Sequence, residues 1–163
     1  LAAPVIRQFL EIENPPKEMV LVVQKEVGQR ICPPSLKLRR AGAKPRMNLL
    51  AVSVQFYARP EIISYISKKS FWPSPKVDSA IIRIAPLINA DRKLINADLF
   101  FQVVKAGFSQ PRKQLINNLS QKLKIDKEEI KKWLLKNNIQ PAQRAETLSV
   151  EDWIKLTKSI KMG

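Results

Sequence analysis

The stretch Met19-Val20-Leu21-Val22-Val23 decides the architecture. It is the longest uninterrupted apolar run in the chain, and Val20, Val22 and Val23 are β-branched. Such a run is short for a helix and rich in strand formers, so it reads as a strand. A strand apolar at every position buries both faces, as in the middle of a sheet flanked by helices. The run also falls far short of the roughly 18 apolar residues that a membrane span needs.

Working outward, Val5, Ile6, Phe9 and Leu10 give the stripe of a buried helix over Pro4 to Glu13, which Asn14-Pro15-Pro16 stops. After the strand, Gln24 to Arg30 turns polar. Cys32 to Arg46 carries three Pro, one Gly and five basic residues without periodicity, and reads as a loop. Met47 to Ala58 returns to helix, apolar almost all round and therefore buried, with Pro60 ending it. Ile62 to Ile66 and Val77 to Ile84 read as strands joined by a Pro-rich connection. Strand, helix and strand followed by a hairpin imply α/β architecture: the second half of a sheet with an antiparallel edge.

Beyond Pro86 to Arg92 the pattern is helical throughout. Asp98 can cap a helix running to about Ala106, and Gly107 interrupts. Pro111 sits where a helix accepts its first residue, before Leu115, Ile116 and Leu119. Asp126 with Glu129, and less strongly Ser149 with Asp152, resemble capping boxes. The expected division is residues 1–88, the α/β part, and 89–163, a small all-α domain, with a hinge near 86–95.

The chain has 163 residues, of which 45% are hydrophobic, so a packed core is affordable. Lys and Arg total 29 against 14 acids, a net charge of +15. That excess favours nucleic acid or an anionic membrane as partner, although a solubility device or a Lys-rich proteome gives the same sign. Cys32 is the only cysteine and there is no histidine. A disulfide framework, zinc held by Cys and His, and the common histidine-based triads are excluded. The cysteine usage fits a reducing cytoplasm. Leu1 to Pro4 show no signal peptide, and the missing initiator Met suggests that Leu1 is not a natural start.

Four segments can carry function. In Ser70-Phe71-Trp72-Pro73-Ser74-Pro75-Lys76-Val77-Asp78-Ser79, prolines stiffen a loop and hold an aromatic. The ring either stacks on a base pulled from its helix, with Lys76 on a phosphate, or merely covers the end of the core. Gly107-Phe108-Ser109-Gln110-Pro111-Arg112-Lys113 puts two cations near a helix start, the wrong end for the dipole. That is a phosphate site or a solvated helix start. The basic loop with Lys37, Arg39, Arg40, Lys44 and Arg46 can touch RNA backbone or be plain surface. Gln24-Lys25-Glu26-Val27-Gly28-Gln29-Arg30 leaves the end of the strand, where α/β sites lie, or is a salt-bridged exit.

Five pieces in order resemble the ribosomal RNA adenine dimethyltransferase family, most of all its bacterial KsgA-type small-subunit branch. They are Leu21 to Val27 with Arg30, Asn48 to Tyr57, Phe71 to Ala80, Ala106 to Leu115, and Arg144 to Ser149. The resemblance implies the second half of a Rossmann-like methyltransferase sheet ending in an antiparallel hairpin, then a helical rRNA-binding domain. It implies a parent enzyme that moves methyl groups from S-adenosylmethionine to N6 of two adjacent adenines near the 3′ end of small-subunit rRNA. It makes Phe71 the ring that packs on the target adenine. Lys25, Arg30, Arg39, Arg40, Lys76, Arg112 and Lys113 become the expected RNA contacts. The implied partner is small-subunit rRNA in the 30S-type particle, with no membrane and no metal, and a cytoplasmic monomer as the acting form.

The chain departs from the family pattern in two ways. The glycine-rich cofactor loop, an acidic strand end and the Asn-x-Pro-Tyr loop that holds the target amine are missing; the glycines are Gly28, Gly42, Gly107 and Gly163. The expectation is therefore a C-terminal fragment, starting just past its catalytic loop, that alone binds no S-adenosylmethionine and methylates nothing. Ser35 to Gly42 looks inserted. The competing reading is a non-catalytic RNA-binding or ribosome-assembly module. Within the enzyme class the competitor is the related methylase of large-subunit rRNA.

Overall fold

The computed structural model describes residues 6, 8–9, 12, 14, 16–32, 47–87 and 95–160. The expected loop over 33–46, with Arg39, Arg40 and the apparent insertion, lies outside them. So do residues 88–94 of the hinge expected near 86–95. Two compact units divide at about residue 88, with residues 47–49 joining the second.

The first unit is a three-stranded sheet with helices. Strand β1 (Met19–Gln24) leads into helix α1 (Lys25–Ile31); helix α2 (Leu49–Tyr57) runs directly into β2 (Ala58–Ile66); β3 (Ser79–Pro86) returns. The order is β1-β3-β2, with β3 antiparallel to both neighbours. Ala80, Ile82 and Ile84 of β3 are fully buried and pack with Val23, Ile31, Val54 and Ala58. The predicted hairpin is present, but β2 starts earlier than expected. The helix expected to run to Ala58 and stop at Pro60 ends at Tyr57, and Pro60 lies inside β2, paired with Ile84. An outer strand tolerates a proline because its missing N–H can face away from the ladder.

Three expectations need correction. β1 is not buried on both faces: Val23 is buried, whereas Val20 and Val22 are 55% and 56% exposed. Helix α1 covers the face of Val23, Ala80 and Ile82, against which Gly28 packs closely. The alternate positions of a strand point the other way. Of the N-terminal stripe, Ile6 is buried but Phe9 is 47% exposed. The polar stretch after β1 is in fact helical. Its inward residues, Val27, Gly28 and Ile31, recur at helical spacing, and Gln55 Nε2 donates to the Ile31 carbonyl at 2.9 Å near its end.

The second unit holds α3 (Ala97–Gly107), α4 (Leu115–Leu123), α5 (Lys127–Lys136) and α6 (Val150–Ser159). Phe100, Val103, Val104, Leu115, Leu119, Leu134, Trp153 and Leu156 form its buried interior. The cap of α3 is Asn96, whose Oδ1 accepts from Leu99 N at 3.0 Å, and Asp98 sits in the first turn. Asp126 caps α5 through the Glu128 N–H. Ser149 and Asp152 form a complete reciprocal capping box.

Candidate nucleic-acid interface

The connection from β2 to β3, residues 67–78, sits where three strand ends meet. Gln24 and Ile66 both pair with Ser79, so the carboxyl ends of β1 and β2 flank the start of β3. This is the rim at which open α/β sheets place ligands. Local hydrogen bonds fix the loop. Ser67 Oγ accepts from Lys69 N at 3.3 Å, and Ser74 Oγ donates to the Lys68 carbonyl at 2.9 Å. Asp78 Oδ1 accepts the Lys68 N–H at 3.1 Å. Lys25 ties the loop to the sheet: its N–H donates to the Asp78 carbonyl at 3.0 Å, and its ammonium lies 3.5 Å from the Asp78 carboxylate. The same ammonium stands 5.5 Å above the Tyr65 ring. The Lys68 N–H above all, and then the Lys25 ammonium, hold the Asp78 carboxyl below its ordinary range.

On this frame the Phe71 ring is 37% exposed and Trp72 is 98% exposed. Neither is sealed in the core, and Trp72 covers nothing. Lys76 is exposed on the same loop. Lys25 is brought to the loop, but its charge is engaged by Asp78. Arg30 is exposed near the far end of α1.

The second cationic segment lies in the other unit. Helix α4 starts at Leu115, with Gln114 as its N-cap. Pro111, Arg112 and Lys113 therefore form a turn before the helix, not its first turn as expected. The cause is Asn118. This fully buried amide donates to the carbonyls of Gly107 at 2.7 Å and Gln110 at 3.0 Å, bending the chain away from the helix axis. Arg112 and Lys113 then line an open cleft of about 690 Å³ with Gln114, Asn117, Ser120, Gln121 and Lys127. Every lining residue is polar or cationic, a composition suited to anions. The first N–H groups of α4 take no part, because Leu115 N donates to the Gln143 carbonyl at 2.8 Å and Ile116 N to the Pro141 carbonyl at 3.3 Å.

Sequence reasoning weighed Trp72 only as a cover for the end of the core, which its exposure contradicts, and it missed the role of Asp78, Asn118, and Lys127 as a third cation of the cleft. Asn118 carried a readable signal, because it stands on the apolar stripe of Leu115 and Leu119. The others required the fold. Among the described residues no cluster could hold a metal ion, and no helix is long and apolar enough to cross a membrane.

The fold is one shared with solved methyltransferases. It superimposes on a dimethyladenosine transferase from Plasmodium falciparum with a TM-score of 0.68 at 23% identity, covering 95% of this chain and 61% of that one. It superimposes on the 23S rRNA methyltransferase ErmE with a TM-score of 0.68 at 20% identity, covering 96% of this chain and 59% of that one.

The family model described as ribosomal RNA adenine dimethylase matches residues 1–162, and the chain belongs to that family. A ribosomal RNA small subunit methyltransferase A from Dehalococcoides mccartyi is 39% identical over 153 residues, covering 94% of this chain and 50% of the relative. One from Bacillus cereus is 34% identical over 163 residues, covering 98% of this chain and 53% of the relative. The chain thus spans about half the length of the curated relatives it matches.

Proposed function

We propose that this chain is the RNA-facing half of an enzyme that transfers methyl groups from S-adenosylmethionine to N6 of two adjacent adenines near the 3′ end of small-subunit rRNA. The reading rests on one observation above others: a part-exposed Phe71 ring on a hydrogen-bonded, proline-braced loop at the carboxyl ends of two strands. An adenine buried in an RNA helix must be extruded before its amine can be reached. Extrusion costs stacking, and a flat apolar ring restores part of it. Phe71 does this, while Lys76 meets a neighbouring phosphate. Arg112 and Lys113 grip the RNA backbone without reading sequence. Arg30, Arg39 and Arg40 add charge to the same task. Lys25 acts chiefly by fixing the loop through Asp78. Residues 1–88 and 89–163 act as the base-handling and RNA-gripping domains of a cytoplasmic monomer.

When bound, S-adenosylmethionine supplies a methyl group already activated by its sulfonium. The two described glycines offer that cofactor no cradle. A Cβ on Gly28 would lie 3.0 Å from the Ala80 Cβ, and one on Gly107 would press on the Trp153 ring, so both glycines serve packing and not a ligand cradle. In this reading the donor is held by parts of the parent outside this chain. Isothermal titration of the 163-residue chain with S-adenosylmethionine should give no heat of binding; micromolar affinity would contradict the assignment. The parent with its upstream half should dimethylate two adjacent adenines in unmethylated small subunits, read by mass spectrometry of digested rRNA. Methylation of large-subunit rRNA alone, or none, would overturn the reading.

A further inference from the structure

Trp72 is the most exposed large apolar side chain of the described residues, at 98%. The other two tryptophans are structural. Trp153 is fully buried, and Trp133 Nε1 donates to the Leu156 carbonyl at 3.2 Å and to Ser159 Oγ at 3.0 Å. Trp72 does nothing comparable for the fold, yet it stands on a loop that hydrogen bonds and the Lys25–Asp78 ion pair hold in place. We infer that Trp72 is a second stacking surface, which takes the base next to the extruded one in single-stranded RNA. The inference rests on the reading of Phe71 given above and extends it to a neighbouring nucleotide.

Exposure separates the two rings. Phe71 is extended, with φ −117° and ψ 149°, and its ring is 37% exposed where that of Trp72 is 98% exposed. Phe71 turns partly inward and Trp72 fully outward. One base cannot lie on both rings, and two rings in series suit two nucleotides in series. The surroundings favour a polyanion over a protein. Residues 67–77 contain Lys68, Lys69 and Lys76 and no acid, and all three lysines are exposed. Asp78, the nearest carboxylate, is engaged by Lys25 and the Lys68 N–H. Aromatic rings interleaved with cations are the usual composition of single-strand RNA platforms.

The test is the affinity of the full chain, Trp72→Ala and Trp72→Phe for a fluorescent single-stranded RNA of about a dozen nucleotides, and for the same strand annealed to its complement. Trp72→Ala should bind the single strand about ten-fold more weakly, and Trp72→Phe should recover most of the loss. Duplex affinity should stay within about two-fold, and the salt slope should not change, because no phosphate contact is removed. Equal single-strand affinity for Trp72→Ala overturns the inference and leaves the Phe71 reading standing. An equal loss on duplex overturns it too, since a duplex offers no free base face. So does unchanged RNA affinity with lost binding to phosphatidylserine vesicles, which would make the ring a membrane contact. Failure of the unsubstituted chain to bind either RNA removes the RNA-facing reading itself, and this inference with it.

Discussion

At Asp78 one carboxylate accepts the Lys68 N–H at 3.1 Å and faces the Lys25 ammonium at 3.5 Å. Its folded pKa lies below the ordinary value. The stabilisation is therefore complete above the unfolded pKa near 4 and is lost as pH falls through the folded value. Asp78→Asn should speed hydrogen exchange at the Lys68 amide at neutral pH, and the difference from the parent should close in acid. Equal exchange at neutral pH would show that Asp78 does not hold the loop. Cys32 behaves in the opposite sense. Burial, and then the Glu61 charge, push its thiol up to about 12. A raised acid pKa favours the neutral form in the fold, so this stabilisation holds below the unfolded value of 9 and fades between there and about 12. A disulfide reagent at pH 8 should label Cys32 only after denaturation; rapid labelling of the native chain would contradict its burial. Neither effect was legible in the sequence. The partners of Asp78, the Lys68 N–H and the Lys25 ammonium, meet it only through the loop fold and the sheet, and a lone Cys in a Pro-rich context gives no hint of its depth.

Local interactions were legible at the scale of elements; those that depend on other elements were not. The Ser149 and Asp152 capping box closes within four residues and was readable from the sequence. Ser149→Ala should cost about 1 kcal/mol, measured by urea unfolding. An unchanged midpoint would argue against the box as a stabilising feature. The start of α4 was misplaced because the Asn118 amide overrides the preference of Pro111 for a first helical position. The length of β2 was underestimated because a proline in an outer strand reads as a stop. Gly107 reads as a helix break, and it does end α3, but its deeper role is to admit the Trp153 ring. Ala ordinarily favours a helix over Gly by about 1 kcal/mol. Gly107→Ala should nevertheless lower stability, by roughly 1–3 kcal/mol, because the added methyl presses on a packed aromatic. A gain in melting temperature would show that the ring yields.

For the molecule as a whole, the net charge of +15 points to a polyanion as partner. Net charge does not say where the cations gather. Arg112, Lys113 and Lys127 gather at one polar cleft, whereas Arg30 stands apart on another element. Arg112→Ala with Lys113→Ala should weaken RNA binding across sequences and flatten the dependence of log K on log salt by about two phosphate contacts. An unaltered slope would place the RNA elsewhere. The exposure of Val20 and Val22 was not legible because an apolar run does not record which of its faces is covered. The central claim is that Phe71 handles an extruded adenine and does not hold the RNA. It is tested most directly by Phe71→Ala in the parent enzyme, with affinity for unmethylated small subunits and single-turnover methylation measured on the same preparation. Affinity should stay within about two-fold while the methylation rate falls by about ten-fold or more. Methylation at the unsubstituted rate, or a loss in affinity equal to the loss in rate, would contradict it.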